Sequence, residues 1–99
     1  MLTLPIKKQW FDLIRSGVKK EEYREIKPYY TTRIINSLRK SLEPEGQFLV
    51  CLRNGYSCSS PELIARCCVT TGEGREEWGA VPGVEYDRLY ILQIIYARP

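Results

Sequence analysis

Gly46-Gln47-Phe48-Leu49-Val50-Cys51-Leu52-Arg53-Asn54-Gly55 is the stretch in which the apolar repeat of the chain changes from about four residues to two. Phe48, Val50 and Leu52 alternate with Leu49, Cys51 and Arg53, the pattern of a strand, and Asn54-Gly55 offers the positive-φ geometry of a tight turn. Upstream of it the repeat is helical. Ile6, Trp10, Leu13 and Ile14 fall at i, i+4, i+7 and i+8 with charged residues between them, which predicts a helix opened by Pro5 and stopped by Gly17. Tyr30, Ile34, Leu38 and Leu42 recur every fourth residue after Pro28, with Ile35 widening the stripe, so a second helix is predicted up to the break Glu43-Pro44-Glu45-Gly46. Between the two, Lys19 to Ile26 lacks a buriable helical face and reads as a strand.

Downstream, Leu63, Ala65, Cys67 and Val69 predict another strand, ended by Thr71-Gly72-Glu73-Gly74. Arg75 to Gly83 reads as a loop or one helical turn, and Val84 to Tyr96 as a long strand, apolar on both faces and therefore central. The sum is an α+β fold. One domain over residues 1–99 is expected, with about five to six mostly antiparallel strands curled into a small β-barrel and two flanking helices in the N-terminal half.

Composition narrows the chemistry. Of 99 residues 43% are hydrophobic and 27% charged, in the range of globular domains. Apolar runs such as Phe48 to Leu52 are far shorter than the roughly 20 residues of a membrane span, and no signal-peptide pattern opens the sequence. A cytoplasmic protein without a membrane partner is the expectation. Histidine is absent and the four cysteines, at 51, 58, 67 and 68, contain no Cys-x-x-Cys, so no metal site and no cofactor are expected. The thiols are expected to be reduced. Without an imidazole, Ser-His-Asp and Cys-His catalysis are excluded, and any base must come from Lys, Glu, Asp, Tyr, Thr or Cys.

The net charge of +3 is unevenly spread. Residues 7–40 carry ten Lys or Arg against four Asp or Glu, whereas residues 41–99 carry five against eight. Such asymmetry suits a positive face for a polyanion, and solvated helix surfaces give the same count.

Gly17-Val18-Lys19-Lys20-Glu21-Glu22-Tyr23-Arg24 has the spacing Gly-x-Lys-x-x-Glu-x-Arg and follows the helix containing Trp10-Phe11. In a strand, Glu22 and Arg24 share a face, offering a carboxylate and a guanidinium to a base edge, while Gly17 permits the turn that brings in the ammonium of Lys19. Arg53, Asn54 and Tyr56 form a second group at the turn, where the Tyr56 ring can be exposed to stack on a base. Tyr23 and Tyr29, interleaved with Lys20, Lys27 and Arg33, suit the same purpose, whereas Tyr30 belongs to the apolar stripe. Trp78 reads as a lid over a cleft or a plug in the barrel mouth.

The Gly-x-Lys-x-x-Glu-x-Arg segment resembles the signature of ASCH domains, the activating-signal-cointegrator homology branch of the PUA-like superfamily. With LPIKKQWFDLIRSGVKKEEYREIKPYY, RNGYS and GREEWGA, most of the chain is similar to the small stand-alone ASCH proteins of bacteria and phages. The resemblance implies a PUA-like barrel with a cleft that takes RNA or a nucleotide-like ligand, lined by Lys19, Glu22, Arg24, Arg53, Asn54, Tyr56 and Trp78. It also implies an alternative, a small hydrolase acting on acylated cytidine or a ribonuclease, with Lys19 and Glu22 as the catalytic residues. In the similar amidohydrolases a threonine nucleophile stands three residues after the lysine, and here that position is Glu22. A third class is a non-catalytic protein-interaction module, which an exposed apolar patch would favour.

Overall fold

The computed structural model describes residues 1–80 and 89–99. In chain order it contains β1 (Leu2–Pro5), α1 (Lys8–Arg15), β2 (Glu21–Glu25), α2 (Pro28–Lys40), β3 (Gln47–Arg53), β4 (Glu62–Gly72), a single 3₁₀ turn (Glu76–Trp78) and β5 (Leu89–Arg98). The described strands form one five-stranded sheet in the order β1-β3-β4-β5-β2. β1 runs parallel to β3 and the other neighbours are antiparallel. The sheet curls into a half-barrel that leaves β1 and β2 as its two edges. A side chain spans the gap between them: Arg24 Nη2 on β2 donates to the Pro5 carbonyl on β1 at 2.8 Å.

Proline sets the first boundary differently from the expected one. Pro5 ends β1, opposite Arg53, and the Ile6 N–H extends the ladder by donating to Arg53 O at 2.8 Å. The helix therefore starts at Lys8. Its end follows the glycine signal: Val18 N donates to Leu13 O and Gly17 N to Ile14 O, a Schellman closure that requires the positive φ of 84° at Gly17. The buried side of α1 runs through Phe11 and Ile14, with Trp10 and Leu13 on its flanks. α2 begins at Pro28 as expected but ends at Lys40. Ser41 turns extended, so Leu42 leaves the helical stripe and is fully exposed, and Ile35 also faces solvent.

The core gathers Leu2 and Leu4 of β1, Phe11 and Ile14 of α1, Ile34 of α2, and inward residues of β3, β4 and β5 such as Phe48, Val50, Leu63, Ala65 and Leu92. Burying each of the larger side chains contributes about 1.5–3 kcal/mol. Because strand side chains alternate, the β2–β5 pair is covered on its other face too. There Tyr23 and Ile91 join Ala80 in a smaller cluster, with Trp78 and Leu89 packed on it.

β5 lies between β4 and β2, the interior position its sequence predicted. Residues 84–88 of the predicted strand lie outside the described residues. The four cysteines are unpaired with one another. Among the described residues no helix is long and apolar enough to cross a membrane.

Candidate functional site

The turn after α1 delivers Lys19 inward. Its backbone N–H shares the Leu13 carbonyl with Val18, which fixes the residue at the mouth of the half-barrel, just before β2. The side chain is 1% exposed. Its ammonium lies 3.2 Å from Glu22 Oε1 and donates to the carbonyl of Trp78. Two aromatic rings enclose it, with centroids 4.8 Å away for Trp10 and 5.2 Å for Tyr23. The turn after Gly17 thus brings the Lys19 ammonium inside, beside Glu22.

Glu22 is its counterion and the centre of the cluster. Oε1 also accepts the Tyr23 N–H at 3.1 Å, and Oε2 lies 3.3 Å from Arg24 Nη1. Glu22 and Arg24 share one face of β2, as period-two alternation requires. Arg24 Nη1 donates to the Tyr23 carbonyl at 2.7 Å while Nη2 holds Pro5 across the seam. Trp78 O, Lys19, Glu22, Arg24 and Pro5 O therefore form one continuous polar chain across the mouth.

Burial pushes the Lys19 ammonium below its ordinary range, opposed by the attraction of Glu22. Burial also raises the Tyr23 phenol well above its usual value. That hydroxyl donates to Glu21 Oε1 at 2.8 Å and accepts the Arg75 N–H at 2.9 Å, pinning the start of the 3₁₀ turn to β2. Tyr23 is consequently a buried strut, where the sequence suggested a surface stacking ring.

The structure brings Lys19, Glu22, Arg24 and Trp78 together. The half-buried Trp78 ring packs on the Tyr23, Ala80 and Ile91 cluster, and its carbonyl accepts from the Lys19 ammonium. Arg53 turns aside, with Nη2 3.6 Å from Glu62 Oε2. Asn54 N–H donates to Pro61 O at 2.9 Å, and the Tyr56 ring beyond it is 90% exposed. Among the described residues no hydrogen bond or ion pair joins Arg53, Asn54 or Tyr56 to the Lys19 cluster. Only the backbone links the groups, because Arg53 is the register partner of Pro5.

The sequence pattern places Trp10 in the core, yet it walls the lysine, and a Cβ on Gly79 would lie only 3.0 Å from its ring. The Pro5 carbonyl is a second participant that the sequence does not single out. A tryptophan on the flank of an amphipathic stripe was the one available signal. Among the described residues no cluster of three or more Cys, Asp or Glu is arranged to hold a metal ion. The chain matches no protein-family model, no curated protein and no solved structure.

Proposed function

We propose that this is a cytoplasmic ASCH-like domain with a PUA-like barrel that binds RNA or a nucleotide, with Lys19, Glu22 and Arg24 as the floor of its cleft and the 3₁₀ turn as the cover. The observation that carries the reading is the hold of Lys19 on a carbonyl oxygen between two aromatic rings. A fixed ammonium beside ring faces is a device for reading the carbonyl of a base, and the Trp78 carbonyl occupies the acceptor's place. A ligand carbonyl or phosphate oxygen that displaces it takes over the same donor. Glu22 stays satisfied meanwhile by the Tyr23 N–H and Arg24.

Outside the mouth, cations and rings alternate. Arg24 lies 5.9 Å and Lys27 5.3 Å from the centroid of Tyr30, which extends the cluster toward the basic surface of α2. That alternation supports a single strand whose phosphates follow the cations. Exposed Tyr56, with Arg53 and Asn54, provides a further stacking point on the opposite side of Pro5.

One observation favours the hydrolase as a second reading. A buried lysine whose ammonium is pushed below its ordinary range, with a carboxylate 3.2 Å away, supports a general base with an orienting partner. Incubation with acylated cytidine and with short single-stranded RNA, following both binding and product, separates the two. Binding without turnover is the expected result. Turnover lost in Lys19→Met establishes the hydrolase, and neither activity leaves the protein-interaction module.

A further inference from the structure

We infer that the groove between the second half of α2 and the β1 edge is a separate binding site for a nucleoside monophosphate unit, free or at the end of a single strand. The cavity measures about 570 Å³, within the range of small-molecule sites, and none of Lys19, Glu22 or Arg24 lines it. Arg33, Asn36, Ser37 and Lys40 line it at i, i+3, i+4 and i+7, one stripe of the helix. The neighbouring stripe, Tyr30, Ile34 and Leu38, packs on the core, and Arg33, Asn36 and Lys40 beside it are exposed.

Arg33 is held ready. Its guanidinium stacks 3.5 Å from the centroid of Tyr29, and Nη1 donates to the Tyr29 carbonyl at 3.0 Å. Among the described residues the rest of the fork has no partner, which suits a phosphate. Lys40 has a simpler reason to be where it is, since the last turn of a helix attracts cations. The same field and the nearby Glu43 repel an anion from that end. The phosphate therefore belongs at Arg33, about 10 Å away along the helix axis.

The other end of the groove asks for different chemistry. Glu43 accepts hydrogen bonds, as from the exocyclic amine of a base, and Leu42 is 101% exposed beside the half-buried Leu49, offering an apolar face to a ring. Phosphate, ring and amine in that order describe an adenine or cytosine nucleotide better than inorganic phosphate. The site stands whether or not the Lys19 cluster binds RNA.

Amide spectra of the ¹⁵N-labelled chain, titrated with adenosine 5′-monophosphate, adenosine, inorganic phosphate and a short 5′-phosphorylated oligonucleotide, test it. The monophosphate, the oligonucleotide or both should shift the Ser37, Ser41 and Leu42 amides with a Kd below about 1 mM, and adenosine and phosphate should bind more weakly. Arg33→Ala should weaken binding roughly tenfold or more, and Ser37→Trp should fill the groove. Arg39→Ala, which removes a cation of the same helix that does not line the groove, should leave binding in the groove unchanged. Absence of saturable shifts at those amides with both nucleotide probes, shifts confined to the Lys19 cluster, or equal affinity in Arg33→Ala would overturn the inference.

Discussion

Lys19 and Glu22 form a buried ion pair at 3.2 Å, with the lysine 1% exposed. Pairing repays the desolvation of each charge, and removal of one partner strands the other. Lys19→Ala should therefore destabilise the fold by about 3–5 kcal/mol in urea unfolding, as breaking a buried pair does. The double substitution Lys19→Met with Glu22→Leu should cost much less than the sum of the singles. A loss below about 1 kcal/mol for Lys19→Ala, the size of a surface pair, would mean that the pair is solvated in solution.

Arg24 closes the seam of the half-barrel with a fork that reaches two carbonyls, Tyr23 O and Pro5 O. Lysine supplies a point charge and cannot reproduce the fork. Arg24→Lys is expected to cost about 1.5–3 kcal/mol, the worth of charged hydrogen bonds, and to speed amide exchange in β1. Unchanged exchange in β1 would show that the edges hold without it.

Alkaline pH should weaken the fold. Burial pushes the Cys67 thiol up to about 12 from an ordinary 9.0, with the neighbouring Cys68 and Glu22 adding to the effect. A folded thiol that keeps a proton which the unfolded chain releases contributes stability below pH 9 and loses it as pH rises toward 12. The raised Tyr23 phenol acts in the same sense at higher pH, and the lowered Lys19 ammonium in the opposite sense. Urea unfolding at about pH 8 and about pH 11 should show the stability gap between wild type and Cys67→Ala narrowing with pH. A constant gap would contradict the protonated, buried thiol.

Gly79 holds a φ of 101° under the Trp10 ring. Gly79→Ala adds left-handed strain of about 1–2 kcal/mol and a Cβ against that ring. A lower melting temperature and an altered tryptophan emission are expected. An unaltered emission would place Trp10 away from the turn.

The curled, mostly antiparallel sheet with two helices was legible because its strands alternate and its helices carry apolar stripes, and Glu22 and Arg24 share a face for the same reason of period two. That the barrel stops at a half-barrel with β1 and β2 as edges was not legible. Nor was the burial of Lys19. A lysine is almost never buried unless paired, and its partners include a backbone carbonyl 59 positions away, which no local pattern encodes. Pro5 misled for a related reason: proline starts helices and ends edge strands equally well, and the ladder to Arg53 decides between them. Leu42 fitted the four-residue repeat, but Ser41 ends the helix by turning extended.

Both tryptophans of the chain adjoin Lys19, Trp10 through its ring and Trp78 through its carbonyl, so intrinsic fluorescence reads the proposed cleft without a label. Titration with short single-stranded RNA at several salt concentrations should give a saturable change in emission whose affinity falls with salt, each phosphate contact contributing a slope of about −0.7. Lys19→Met, measured at a temperature where it remains folded, should lose that response. No saturable change at low salt, or an affinity unaltered in Lys19→Met, would contradict RNA binding at the Lys19 cluster.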